Sequence, residues 1–206
     1  MLHFVIGGSG SGKSEYGERL LLKTDATRKI YLATMEARDD PETRERILRH
    51  RALRAGKGFL TIEKPRALGT LLPGKRHPED AVHTGEIQSG DAVHTGEIQS
   101  EGIVISSEIR SGDALLLEDL TNLLLNEMLY EENAAEQVFQ ELMEINRNVS
   151  TMILIGNDIF SGVGRYDAWT EEFIRTLGQL HQRIAGEAAY VTEVIAGIPI
   201  PLKVEK

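Results

Sequence analysis

The chain has 206 residues, a hydrophobic content of 41%, a charged content of 27% and a formal net charge of −9. Those proportions are ordinary for a soluble globular domain with a sizeable core. The acidic balance argues against a general affinity for nucleic acid or anionic membrane. The absence of cysteine removes disulfides, thiolate metal sites and cysteine nucleophiles from consideration. No apolar run approaches the ~20 residues of a membrane span, and the N-terminus lacks the pattern of a secretory signal, so a cytoplasmic protein is expected.

The first element is a strand over 2–6, Leu2-His3-Phe4-Val5-Ile6. It runs into Gly7-Gly8-Ser9-Gly10-Ser11-Gly12-Lys13-Ser14, and a helical pattern follows to about residue 23. Gly, four residues, then Gly-Lys-Ser between strand and helix is the Walker A phosphate loop. Glycines let successive backbone N–H groups turn toward phosphate oxygens, and the helix adds its positive end. On this reading Lys13 reaches the β- and γ-phosphates, and the Ser14 hydroxyl is a ligand of Mg²⁺.

A second strand is expected at Lys29–Thr34. Asp39-Asp40-Pro41-Glu42 then opens a helix over about 41–55 with an acidic cap and proline in the first turn. Arg44, Arg46, Arg49, Arg51 and Arg54 crowd that helix. A short strand at 59–63 precedes Pro65 and a helical turn to Leu72. The rhythm then breaks: Asp80 to Ser89 is repeated unchanged at Asp91 to Ser100, an eleven-residue period. Two copies do not make a solenoid, and His83 and His94 recur only through the duplication. Residues 74–112 read as an insertion into a single 1–206 domain, expected to be flexible, with one strand at about 102–106.

The core resumes at Asp113. Ala114-Leu115-Leu116-Leu117-Glu118-Asp119 is an apolar strand ending in acids, the Walker B pattern, in which a carboxylate approaches Mg²⁺. Glu118 is expected to face the metal while Asp119 or Thr121 caps the helix through Leu123, Leu124 and Met128. A helix over 132–148, a strand at 151–156, a long helix over 167–189 and two closing strands, 190–196 and 198–203, complete the pattern. Alternating strands and helices with polar strand ends predict an α/β fold. Its sheet is mainly parallel and flanked by helices, in a phosphate-loop (RecA-like) NTPase architecture.

A phosphate loop does not by itself fix the reaction. Taken with Tyr31-Leu32-Ala33-Thr34, Arg46 to Arg54, Thr61-x-Glu63, Glu118 with Thr121 and Asn126, Asn157-Asp158, His181-Gln182 and Gly197-x-Pro199-x-x-Leu202-Lys203, it resembles the bifunctional adenosylcobinamide kinase/adenosylcobinamide-phosphate guanylyltransferases of cobalamin biosynthesis. The resemblance implies phosphorylation of a corrinoid alcohol by a nucleoside triphosphate, ATP or GTP. It also implies transfer of GMP from GTP through a guanylylated histidine, with His50 at that position and Lys13 as the second catalytic residue. Gly7 to Ser14, Thr34, Met35, Glu36, Arg51, Arg54, Glu63 and Glu118 would contact nucleotide, and Ser14 and Glu118 the metal. A homo-oligomer, trimeric in that family, is implied as well. The sequence departs from the family pattern at Gly10, Ala55, Phe160, Gly164, Arg165, Ile174 and His181. A kinase without guanylyl transfer and a nucleotide-switch regulatory protein are the competing readings.

Overall fold

The computed structural model describes residues 1–36, 45, 56–75, 98–100, 103–105, 108–160, 162 and 164–205. Its centre is a seven-stranded sheet of β1 (Leu2–Gly7), β2 (Lys29–Ala33), β3 (Leu60–Glu63), β6 (Ala114–Glu118), β7 (Thr151–Asn157), β8 (Tyr190–Ile195) and β9 (Ile198–Lys203). The spatial order is β3-β2-β6-β7-β1-β8-β9. Every neighbouring pair is parallel except β8 with β9, which closes one edge as an antiparallel hairpin. Two further strands, β4 (Ile98–Ser100) and β5 (Ile103–Ile105), pair with each other as an antiparallel ribbon. The fold is therefore the expected mainly parallel α/β sheet flanked by helices. The expected helix at 41–55 lies outside the described residues apart from position 45, which is helical.

The apolar runs of the central strands are explained by burial on both faces, as parallel sheets require. Alternation divides each run in two. Leu2 and Phe4 of β1, Leu115 and Leu117 of β6, and Met152 and Leu154 of β7 enter the larger core. Val5, Leu116, Ile153 and Ile155 enter the smaller one on the opposite face, with Tyr31. Helix α1 (Lys13–Leu22) covers the smaller core. It lies close because Gly17 has no side chain: a Cβ there would stand 2.7 Å from both Ile155 Cδ1 and Leu116 Cδ1. The larger core is covered by α2 (Leu120–Met128), α3 (Ala134–Asn148) and α4 (Ala168–Glu187), which supply Leu123, Val138, Leu142, Leu177 and Ile184.

Two helix starts follow the capping rule. Asp119 accepts from Asn122 N at 2.7 Å at the head of α2, and Asp167 accepts from the Trp169 and Thr170 amides at the head of α4. The stretch 74–112 is not detached from the core at its far end. Ile109 is fully buried, its amide donates to Leu71 O at 2.8 Å, and Arg110 N donates to Asp113 Oδ2. Sequence periodicity cannot reveal a single apolar residue flanked by Glu108 and Arg110 as a core member, because only long-range packing selects it.

Candidate functional site

Because the strands are parallel, the carboxyl ends of β1, β2, β3, β6 and β7 meet at one edge of the sheet. That edge carries the phosphate loop. Gly7 ends β1, and Gly12, at φ 90°, turns the chain into α1, whose first residue is Lys13. Gly7 tolerates no side chain, since a Cβ would lie 2.6 Å from the Val194 carbonyl oxygen and from Ser11 Oγ. The turn between β8 and β9 braces the loop from outside, with Gly197 N donating to Ser11 O at 2.8 Å. Gly10, one of the departures from the resembled pattern, has φ 70° and open space about it. The left-handed backbone there suits glycine.

Lys13 is buried, and its Nζ donates back across the loop to Gly8 O at 3.1 Å. Burial lowers its pKa, while the nearby charges of Glu118 and Asp119 oppose that shift. Ser14, one residue further along α1, donates its hydroxyl in a short hydrogen bond to Glu118 Oε1. Glu118 stands at the end of β6, and its second oxygen, Oε2, accepts from the Tyr31 hydroxyl at 2.5 Å. The Walker A serine and the Walker B carboxylate are thus in direct contact, although 104 residues separate them in the chain.

Behind that pair lies a polar network. Thr34 N donates to Glu118 O at 3.0 Å, the Thr34 hydroxyl donates to Asp119 O at 2.7 Å, and Asp119 N donates back to Thr34 Oγ1 at 2.8 Å. Asn126 Nδ2 donates to the Thr34 and Pro65 carbonyls, and Asn157 Nδ2 donates to Asp119 Oδ2 at 3.0 Å. Burial raises the Asp119 pKa, the Asn122 amide opposes this, and the charge of Glu118 adds to it. Thr34 therefore uses its hydroxyl to join the ends of β2 and β6. Met35 and Glu36 follow it, half-buried, and Glu63 is level with Ala33 at the end of β3. Ser9 is exposed at the outer turn of the loop.

The structure therefore brings together Gly7 to Ser14, Thr34, Met35, Glu36, Glu63 and Glu118 along one edge. His50, Arg51 and Arg54 lie outside the described residues, as does Ala55. Sequence reasoning did not single out Tyr31 or Asn157 as site residues. Tyr31 lies in an apolar strand buried on both faces, where no polar periodicity marks it. Tyr31, Asn157 and Asn126 all belong to the resembled pattern, but their partners are set only by folding.

The residues present fit a hard divalent cation. A serine hydroxyl and a carboxylate face each other beside a phosphate loop, and magnesium takes few protein oxygens, with phosphates and water completing its shell. Among the described residues no group of three or more His, Cys, Asp or Glu side chains could hold a metal by itself. No described helix is long and apolar enough to cross a membrane.

The family model for cobinamide kinase / cobinamide phosphate guanyltransferase matches residues 3–83 and 94–202, leaving out only a stretch inside the duplication and the extreme ends. The bifunctional adenosylcobalamin biosynthesis protein CobP of Pseudomonas aeruginosa is 29% identical over 100% of this chain and 99% of its own. The bifunctional adenosylcobalamin biosynthesis protein CobU of Salmonella typhimurium is 27% identical over 98% of this chain and 100% of its own. Among solved structures, the flagellar accessory protein FlaH from Methanocaldococcus jannaschii aligns with 99% of this chain and 78% of its own, at 11% identity and a TM-score of 0.47.

Proposed function

The chain belongs to the cobinamide kinase / cobinamide phosphate guanyltransferase family, and from that premise we propose that it carries out both reactions of that name on a corrinoid substrate. The observation that supports this most directly is the apposition of Ser14 and Glu118 beside a phosphate loop whose lysine is buried. It accompanies a family match that runs almost from end to end.

In the first reaction the loop amides and Lys13 bind the β- and γ-phosphates of ATP or GTP. The corrinoid's alcohol attacks the γ-phosphorus, and the nucleoside diphosphate leaves. Lys13 is pre-positioned for this by its contact with Gly8 O, which a phosphate oxygen would replace. Ser14 and Glu118 would hold Mg²⁺, which supplies charge neutralisation on the β- and γ-oxygens when bound.

In the second reaction a neutral His50 nitrogen attacks the α-phosphorus of GTP and expels pyrophosphate, forming a phosphoramidate. The phosphate of the corrinoid then attacks the same phosphorus and releases the imidazole. Arg51 and Arg54 neutralise the triphosphate. Glu63, Thr34, Met35 and Glu36 line the nucleotide at the sheet edge. The assignment of these residues follows the family pattern, as does a homotrimeric assembly, whereas a cytoplasmic location and a single domain interrupted by a 74–112 insertion rest on the amino-acid sequence.

The test is incubation with Mg²⁺ and GTP radiolabelled on its α-phosphate, followed by denaturing electrophoresis, for the wild-type protein and His50→Ala. Label that survives denaturation, is lost in acid and is absent from the variant supports guanylyl transfer through His50. Tight nucleotide binding with no label reduces the reading to a kinase alone if the corrinoid is still phosphorylated, and to a nucleotide switch if it is not.

A further inference from the structure

We infer that Tyr31 is a positioning residue for nucleotide chemistry: its phenol fixes the carboxylate of Glu118 in the orientation that presents the other oxygen to Ser14. The inference rests on the reading of Ser14 and Glu118 as the pair that would hold Mg²⁺.

Glu118 is grasped from two elements at once, by Ser14 of α1 on Oε1 and by Tyr31 of β2 on Oε2. The two donors differ in what a bound cation would do to them. Ser14 is itself a prospective ligand, so its hydroxyl lone pairs turn toward the metal. Tyr31 is not, and its bond to Oε2 remains to hold the carboxylate plane. Hydrogen bonds to an ionised carboxylate are short and stronger than neutral ones, which gives this one orienting force.

The phenol is well anchored. Tyr31 is 2% exposed and pairs with Leu116 on β6, two residues before Glu118. Its ring lies in the smaller core with Val5, Leu21 and Leu116, and Phe59 lies beside it at 6.1 Å between ring centroids. A buried tyrosine hydroxyl needs a polar partner. Here the Tyr31 hydroxyl reaches the carboxylate at the phosphate loop. Groups that hydrogen-bond a metal ligand tune metal affinity about ten- to a hundred-fold when removed.

The test compares wild-type protein, Tyr31→Phe, Glu118→Gln and the double variant by titration with a fluorescent GTP analogue, in chelator and across a Mg²⁺ series. Tyr31→Phe keeps the ring, so the core remains filled. Affinity in chelator is expected to stay within about two-fold of wild type. The Mg²⁺ concentration giving half of the affinity gain is expected to rise about ten-fold. In the Glu118→Gln background the same change is expected to add less than about two-fold, since its effect runs through the carboxylate.

A wild-type Mg²⁺ midpoint in Tyr31→Phe overturns the inference. So does an equal loss of affinity with and without Mg²⁺, which is the mark of a packing role, or a full additional effect in the Glu118→Gln background. If Glu118→Gln itself keeps the wild-type midpoint, the metal reading of Glu118 fails first and takes the role of Tyr31 with it.

Discussion

The two sides of the sheet's carboxyl edge are built from different materials. On the β1, β2 and β6 side, polar side chains are paired with one another and with the backbone: Ser14 and Tyr31 on Glu118, Thr34 across the Asp119 peptide, and Asn126 on two carbonyls. On the β7–α4 side, one buried histidine is left out of that network. His181 sits between Phe4 and Phe160, at 5.0 and 5.4 Å between ring centroids, and its Nε2 has no hydrogen-bond partner among the described residues. Its fit depends on Gly156, where a Cβ would stand 3.0 Å from that nitrogen. The resemblance to the family is close on the first side. The second holds Phe160, Gly164, Arg165, Ile174 and His181, five of its departures. A network of mutually paired donors and acceptors resists substitution, because removing either partner leaves a desolvated group behind. Aromatic packing around one histidine carries no such constraint, so sequence can drift there while the fold stays.

The largest expected effect lies on the constrained side. Lys13→Ala removes the one ammonium group of the loop, and nucleotide-dependent turnover should fall on the order of a hundred- to a thousand-fold. Thermal stability should change little, because the hydrogen bond that Lys13 makes within the protein ends on a carbonyl of the loop itself, Gly8 O. A single-turnover phosphoryl transfer assay beside a melting curve checks both; a fall in stability of similar weight would make Lys13 a structural residue.

Next comes Asp119→Ala, which removes the cap of α2 and the acceptor of Asn122 and Asn157 together. Loss of a cap and of a buried acceptor predicts destabilisation of about 2–3 kcal/mol, measured by urea unfolding. Asp119→Asn, which keeps an acceptor oxygen, should recover part of it.

The two buried histidines should show themselves in acid. Burial holds both His3 and His181 down at a pKa of about 4, whereas an unfolded histidine titrates near 6.5. Between those values the unfolded chain binds protons that the folded chain does not, so stability rises with pH there. It should be flat above about pH 6.5 and decline as the pH falls toward 4, by on the order of 2–3 kcal/mol for each histidine. His181→Asn should flatten that decline by roughly half in unfolding measured across the range. An unchanged slope would mean that His181 charges freely in the folded state.

The smallest effect belongs to the sheet's far edge. All of β9 is exposed, and Ile200→Thr should shift stability by no more than about 0.5 kcal/mol. A larger loss would show that this strand is covered in solution.

The amino-acid sequence by itself determined a good deal here. Runs such as Leu115-Leu116-Leu117 and Met152 to Ile155 are strands buried on both faces, the glycine-lysine-serine turn marks the loop between strand and helix, and Asp119 or Thr121 marks the start of the helix after the acidic strand end. Each of these is a local matter of dihedral preference, periodicity or a side chain reaching its own backbone a few residues on. Folding decided the rest. It set β6 and β7 between β2 and β1, placed Glu118 against Ser14, turned Tyr31 toward that carboxylate, drew Ile109 into the core and laid Gly197 against Ser11. Those contacts join residues tens to well over a hundred positions apart. They follow from strand order and register, which no local pattern encodes.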